Sequence, residues 1–496
     1  MNNGPGSIRK NFIMNALLTV SSFIFPVITF PYVSRVLGPE GYGRVGFATS
    51  LITYFSMFAK LGIPTYGIRA CAQVRDDREK LSRTVQELLV INLVMSAITY
   101  AAFLVCVFFV PALADDRTLY LVMSVTILLG AIEMEWLYKG LERYTYITVR
   151  SLLFKLIALA AMFLLIHAES DYVLYGGITV FAASASSVLN FINARKAVDM
   201  HPVGCYNFRR HFRAVGIFFA MACASTVYTH LDVLMLGVMS TKTDVGYYNA
   251  AVRIKSILVG IVTSLGAVLL PRASYYIENG QPEAFHRISR KALSFVLLFA
   301  SPMALYFILF AREGIGFLSG AAYTGSVRPM QFIMPTLIFI GITNILGIQI
   351  LVPLGREKDV LYSEIAGAVT DFVLNLLLIP HFRAAGAAIG TLAAEFAVLV
   401  WQAFTLRGEL KELTGDLSPG KLLPALILSA AASLWVKMLI PADTAIHCFA
   451  ALALSALLFF GVYALFLYAV KEPLVREILT SVFRRFKPGP HGSGPD

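Results

Sequence analysis

Charged and strongly polar side chains sit inside stretches otherwise too apolar for them, and they sort into two chemical sets. The first is cationic: Lys60, Arg253 and Lys255. A charge at mid-bilayer costs roughly 2.5–3.5 kcal/mol on insertion scales, so each needs water or a partner. Arg253 and Lys255 lie about two turns and more into their run, too deep for easy outward snorkelling. A guanidinium fork and ammonium point charges suit an anion that must shed its water. The competing uses are inward snorkelling of Lys60 and pairing of Arg253 with a carboxylate such as Asp232. Arg35 and Arg44 flank the end of the first such run; as interfacial arginines they need no further role, but they could meet an anion late in its transfer. The second set is oxygen-rich. Asp371 and Asn375 are four residues apart and share one helix face, and Asp232 and Thr391 reach similar depth on two other runs. Two carboxylates, an amide and a hydroxyl make an oxygen cage for Na+ or a proton relay. The alternative is a hydrogen-bonded plug. Glu133, Glu135 and Lys155 are expected to form ion pairs near the inner ends of their runs. Glu395 has no assigned role, and His230 is expected to be structural. No Walker-type glycine loop, metal cluster or activated nucleophile appears, so the chain is read as no enzyme.

The elements that hold these groups are apolar helices. The chain has 496 residues, 57% hydrophobic and 14% charged, with mean hydropathy +0.72. A soluble surface needs roughly 25% charged residues, so this is an integral membrane protein of the all-α class. About 14 runs approach the 20 residues a span requires. They lie near 12–33, 45–68, 86–110, 118–137, 148–167, 172–193, 214–238, 246–270, 291–311, 329–352, 360–380, 386–406, 422–440 and 446–470. The first run is too long for a signal peptide and no cleavage site follows it. With the N-terminus inside, 29 of the 41 lysines and arginines fall in cytoplasmic connections and 7 in outer ones, which predicts both termini to be cytoplasmic. The net charge of +11 follows largely from that bias. The five cysteines have no metal or redox spacing and are expected to be free.

Two copies of one pattern divide the chain. Leu37-Gly38 followed by Glu40-Gly41-Tyr42-Gly43 is echoed roughly 200 residues later by Leu236-Gly237 and Asp244-Val245-Gly246-Tyr247. Internal repeats of this kind are how many transporters are built. The expected division is a six-helix bundle over 1–195, an amphipathic cytoplasmic linker over 196–213, a second six-helix bundle over 214–406, two further helices within 407–470, and a basic, disordered tail over 471–496. The bundles are expected to be pseudo-symmetric about a central cavity. Residues 69–85 are a second candidate for the inner membrane surface. Pro26, Pro31 and Pro64 are expected to bend the first two spans.

Phe25-Pro26, Phe30-Pro31-Tyr32-Val33-Ser34-Arg35-Val36-Leu37-Gly38-Pro39-Glu40-Gly41-Tyr42-Gly43, Gly62 and Arg69 together resemble the N-terminal signature of the Wzx-type polysaccharide-biosynthesis flippases. These belong to the superfamily that also holds multidrug and toxin extruders and lipid II flippases. Glu135-Trp136-Leu137-Tyr138-Lys139-Gly140, Leu231-Asp232-Val233-Leu234-Met235-Leu236-Gly237, Asn375-Leu376-Leu377-Leu378-Ile379-Pro380 and Gly386-Ala387-Ala388-Ile389-Gly390-Thr391 agree in order and spacing. The likeness covers most of the first twelve runs; the last two carry no motif. It implies transfer of an undecaprenyl-diphosphate-linked oligosaccharide between leaflets of a bacterial or archaeal cytoplasmic membrane by alternating access. Its partners would be membrane lipids and polysaccharide-assembly proteins, and no nucleic acid. The sodium-using lipid II flippases are similar in placing an acid on the seventh helix and an Asp/Asn pair on the eleventh. The readings set against it are a multidrug antiporter of the same superfamily, which would want acidic cavity walls, and a membrane-embedded polymerase or ligase, which would want a large outer loop.

Overall fold

A computed structural model describes residues 8–409, 412–413 and 419–476. Among these, every regular element is helical, as lipid requires when each backbone N–H must find its carbonyl within the segment. Eleven helices are long and apolar enough to cross a membrane, or twelve if Ala321–Ile333 and Thr336–Leu351, bent by 45°, count as one span. The shortfall from fourteen has local causes. Residues 117–131 make a helix of only 15 residues, and the first two runs appear as one unbroken helix, α1 (Ile8–Lys60).

That helix is in fact a hairpin. Its 53 residues would extend roughly 80 Å if straight, but Gly38 leaves helical geometry at φ +63° and ψ 177°. Only glycine takes that φ without steric cost, and Pro39 then restarts the helix where its missing N–H is harmless. Cross-helix contacts establish the reversal. The next helices are α2 (Ile63–Gln73), α3 (Arg78–Phe109), α4 (Arg117–Ala131), α5 (Glu135–Gly140) and α6 (Tyr144–Leu165). Along the arm 8–37, the Met14 carbonyl accepts from Thr148, Ser21 and Ser22 accept from Lys155, and Tyr32 donates to Ile166. This arm therefore runs parallel to α6. Along the arm 39–60, Arg44 pairs with Asp116 and Lys60 with Glu133, so that arm runs parallel to α4. Glu169 sits against Gly38 and Gly41, while Glu135 meets Arg150 near the start of α6. Hence α4 and α6 are antiparallel, and so are the two arms.

The chain packs as two compact units, 1–250 with 371–390, and 251–370 with 391–496. The first holds α1–α6, then α7 (Tyr172–Ser184), α8 (Ser186–Ala194), α9 (Arg209–Met239) and the start of α10 (Lys242–Glu278). The boundary by packing thus falls inside α10 rather than at the expected linker. Within the expected linker, residues 195–208 form turns, bends and irregular chain, and α9 starts at Arg209. Side-chain bonds from α3 hold that segment: Gln86 donates to the carbonyls of Asp199 and His201, and Ser82 accepts from the Asp199 amide. Between α2 and α3, residues 74–77 are a turn closed by Asp77, which caps α3 by accepting from the amides of Glu79 and Lys80.

The second unit contains α11 (Pro282–Leu309), α12 (Ala311–Leu318), α13 (Val327–Ile333) and α14 (Thr336–Thr343), which runs on into a π-helical turn over Asn344–Leu351. Helices α15 (Glu357–Phe382) and α16 (Ala384–Thr405) are divided between the units, since 371–390 packs with the first. The final helices are α17 (Pro419–Leu434), α18 (Val436–Leu439) and α19 (Ala445–Ala469). They are tied to α11, with the Tyr306 hydroxyl donating to the Leu452 carbonyl at 2.8 Å and Tyr463 to the Leu298 carbonyl at 2.9 Å. The tail expected to be disordered, 477–496, lies outside the described residues. The cysteines are free.

Candidate functional site

The two copies of the glycine pattern, recognised in the sequence only as echoes, lie against each other. A Cβ on Gly43 would fall 1.8 Å from the Lys242 carbonyl oxygen and 2.7 Å from the Gly246 nitrogen; one on Gly246 would fall 1.9 Å from the Pro39 carbonyl oxygen. The start of the arm 39–60 and the start of α10 therefore meet backbone to backbone, with no room for any side chain. Lys242 closes the seam: its ammonium donates to the Gly237 carbonyl at 3.0 Å and lies 3.3 Å from the centroid of the Phe47 ring. At the other end of the same arm, Gly62 abuts the α9 backbone at Phe218 and Phe219. The arm is thus in contact with α9 and α10 near both its ends.

Between those ends lies the oxygen-rich set. Asp232 on α9 is buried and accepts twice, from the Tyr248 hydroxyl on α10 and from the Asn375 amide nitrogen on α15 at 2.7 Å. Because that nitrogen must face Asp232, the Asn375 carbonyl oxygen points elsewhere, and it is buried without a hydrogen bond. It faces Gly390, as does an oxygen of Asp371, the two lying 2.2 and 3.3 Å from where a Cβ on Gly390 would be. Tyr54 lies within electrostatic range of both carboxylates. Thr391 is buried and follows Gly390 on α16, at the first position of the second unit. The structure therefore brings Asp232, Asn375 and Asp371 into one cluster, and it adds Tyr248, which the sequence reading did not include. Buried carboxylate and amide oxygens are the donor types a hard cation such as sodium uses, so this set fits such an ion by chemistry.

The cations are arranged differently from the expectation. Lys60 is bonded to Glu133, with both side chains 29% exposed, so it is neutralised at short range instead of standing alone. Arg44 pairs with Asp116 and Glu40 and lies over the Tyr172 ring, and Arg35 is exposed. Arg253 and Lys255 are both half-buried on α10. Two residues apart on a helix, they project about 200° from each other and flank the buried face marked by Ala251, Ile254 and Leu258. One ligand on one side of α10 cannot meet both directly. The expected pairing among Glu133, Glu135 and Lys155 is also redistributed. Glu133 serves Lys60, Glu135 serves Lys139 and Arg150, and Lys155 donates to the hydroxyls of Ser21 and Ser22, with Glu135 in electrostatic range.

One cluster escaped the sequence reading. Glu87 on α3 is fully buried and accepts from the Asn207 amide at 2.6 Å, from Arg210 at 2.6 and 2.9 Å and from His211 at 2.7 Å. His211 in turn meets the Tyr66 hydroxyl at 2.8 Å. This latch fastens the start of α9 and the preceding turns to α2 and α3. The only signal for it was a carboxylate in an apolar run opposite a basic segment.

Membrane-crossing helices that bury carboxylates and an amide, joined through repeated glycine contacts, define a multi-pass membrane protein. Comparison with known proteins makes this specific. Residues 8–276 match the family described as polysaccharide biosynthesis protein, and residues 217–377 match MatE. The chain belongs to the polysaccharide biosynthesis protein family. It is 26% identical over 403 residues to the putative O-antigen transporter of Escherichia coli (strain K12), covering 80% of this chain and 96% of that one. It is 23% identical over 171 residues to the probable low-salt glycan biosynthesis flippase Agl15 of Haloferax volcanii, covering 34% and 36% of the two chains. In fold it is similar to the lipid II flippase MurJ in an inward closed conformation, with TM-score 0.68, 15% identity and coverage of 92% and 99%. It is also similar to an inward-facing multidrug resistance MATE family transporter, with TM-score 0.58, 14% identity and coverage of 81% and 99%.

Proposed function

We propose that this protein carries an undecaprenyl-diphosphate-linked oligosaccharide, a repeat unit of O-antigen, capsule or exopolysaccharide, from the cytoplasmic to the outer leaflet by alternating access. The observation that carries this reading is similarity to the putative O-antigen transporter of E. coli along 96% of that relative. Fourteen spans follow once the hairpin at Gly38 is counted as two, the bent pair as one and the short helix 117–131 as one. With both termini cytoplasmic, the Gly38 turn and the Gly43–Gly246 seam lie on the outer side. Release outward then requires that seam to part, and capture from inside requires the contact at Gly62 to part.

In this scheme Arg253 supplies the bidentate fork for the diphosphate. Lys60 contributes only by exchanging Glu133 for phosphate, and Lys255 acts from a different face of α10 than Arg253. The Asp232–Asn375–Asp371 cluster would hold a coupling ion, Na+ or H+. Filling or emptying it changes the net charge beside Tyr248 on α10, close in sequence to the seam.

The MatE match over 217–377 favours a second reading, a multidrug antiporter of the same fold. The two separate in one experiment: deletion in the native host and fractionation of lipid-linked sugars. Accumulation of intermediates facing inward, with loss of surface glycan, is the expected outcome. Normal surface glycan with altered dye efflux would favour the antiporter instead.

A further inference from the structure

A mid-membrane lysine stands outside every site described so far. α6 has 22 residues and Lys155 is 11 past its first, so its Cα lies roughly 16 Å along a helix of about 33 Å. It makes no ion pair among the described residues; its ammonium bonds the hydroxyls of Ser21 and Ser22 at 3.0 and 2.9 Å. Two hydroxyls do not neutralise a charge, and Glu135, within electrostatic range, is itself bonded to Lys139 and Arg150, so the ammonium lies at a depth where insertion scales charge roughly 2.5–3.5 kcal/mol for one. A plain strap between helices would be met more cheaply by an uncharged side chain.

The helix it touches is patterned for a polar occupant. At 100° per residue, the arm 8–37 divides into three faces. Met14, Leu18, Ser21 and Phe25 form the face toward α6. Ile13, Leu17, Val20, Ile24 and Ile28 form an exposed apolar face, as acyl chains require. Asn15, Thr19 and Ser22 form a third stripe, polar and also exposed. Lys155 reaches across the first face to Ser22, at the edge of the third. The hydroxyls of Thr19 and Ser22 donate to the carbonyls of Asn15 and Leu18, which leaves their oxygens to accept, so that with the Asn15 amide and the ammonium they make an exposed polar row.

We propose that Lys155, Ser22, Thr19 and Asn15 form an intramembrane recognition site for a lipid phosphate head group, distinct from Arg253 and the Asp232 cluster. The ammonium engages phosphate, and Thr19 and Asn15 bond the polar groups that follow it. The site rests on the flippase reading for its natural ligand, the polyprenyl diphosphate. The same chemistry would accept the phosphate of a resident anionic phospholipid.

The test uses the full chain in phosphatidylcholine nanodiscs, with undecaprenyl diphosphate and phosphatidylglycerol as separate probes and binding read by native mass spectrometry. Lys155→Met should weaken undecaprenyl diphosphate binding about tenfold or more, and Lys155→Arg should stay within about threefold. Raising ionic strength should weaken the wild type more steeply than Lys155→Met, whose remaining salt dependence is that of Arg253, a difference a merely structural lysine would not produce. If phosphatidylglycerol binding shows the same dependence, the occupant is phospholipid in general; if it does not, the occupant is the carrier lipid. If Lys155→Met fails to fold, Thr19→Val with Ser22→Ala keeps the cation and should still weaken binding about threefold. Wild-type affinity for both probes in Lys155→Met, or in the double variant where that has to replace it, overturns the proposal, as does a wild type that binds neither. A flippase that fails this test still accumulates lipid-linked intermediates on deletion, so the two failures are separable.

Discussion

Gly246→Ala adds one methyl group at a backbone contact of the seam, and its effect can be worked from the geometry. The new carbon would lie 1.9 Å from the Pro39 carbonyl oxygen, whereas an ordinary contact begins near 3.4 Å. Carbonyl and helix are both backbone, so no rotamer can relieve the clash; the arm 39–60 and α10 must separate by about 1.5 Å. Overpacking of this kind costs roughly 1–3 kcal/mol. Because the opposing strain exists only while the seam is shut, the variant should favour the parted state. Val245, fully buried with its Cγ1 3.7 Å from where a Cβ on Gly46 would be, serves as reporter. In a background lacking native cysteines, Val245→Cys should resist a membrane-impermeant maleimide on intact cells. With Gly246→Ala added, it should react at least about tenfold faster, and thermal stability in detergent should fall by several degrees. Unchanged stability together with a still-protected cysteine would show that the seam does not close as described.

Other expectations follow from single contacts. Asp232→Ala strands the Tyr248 hydroxyl and the Asn375 amide, each at about 1–3 kcal/mol, and should abolish surface glycan; Asp232→Asn should keep the fold but lose any dependence of transport on Na+ or pH. Lys60→Met and Glu133→Gln should be coupled in stability by about 0.2–1 kcal/mol for a pair this exposed; transport restored in the double variant would show that Lys60 only neutralises Glu133 and does not exchange it for phosphate. Glu87→Ala leaves Arg210 and His211 without their buried carboxylate, at about 3–5 kcal/mol, and chymotrypsin should then cut at Tyr206 far faster than in the wild type. Arg253→Ala should eliminate surface polymer at normal protein levels while Arg253→Lys retains part of it, and full activity in the alanine variant would remove Arg253 from transport.

Much of this was legible along the chain. The all-helical membrane class follows from hydropathy, a local property that any window of twenty residues reports. The Gly38–Pro39 turn could be read because only those residue types permit it, and the shared helix face of Asp371 and Asn375 follows from a spacing of four. The repeat was visible as two similar strings, though nothing in either string says that they touch. Lys60 illustrates the limit best: an intramembrane lysine reads as a ligand for cargo until Glu133, 73 residues away, is found beside it.

What the sequence alone determined, then, was which segments enter the membrane and which polar groups they carry with them. Tertiary structure decided what those groups meet: Asp232 finds Asn375 at a separation of 143 residues, Glu87 finds Arg210 at 123, and Lys155 finds two serines in place of the carboxylates nearer to it in sequence. The reason is geometric. Burial in lipid is set residue by residue, whereas a partner is chosen by which faces of which helices come into contact, and that depends on close packing over the whole unit, down to glycines whose only contribution is the side chain they lack.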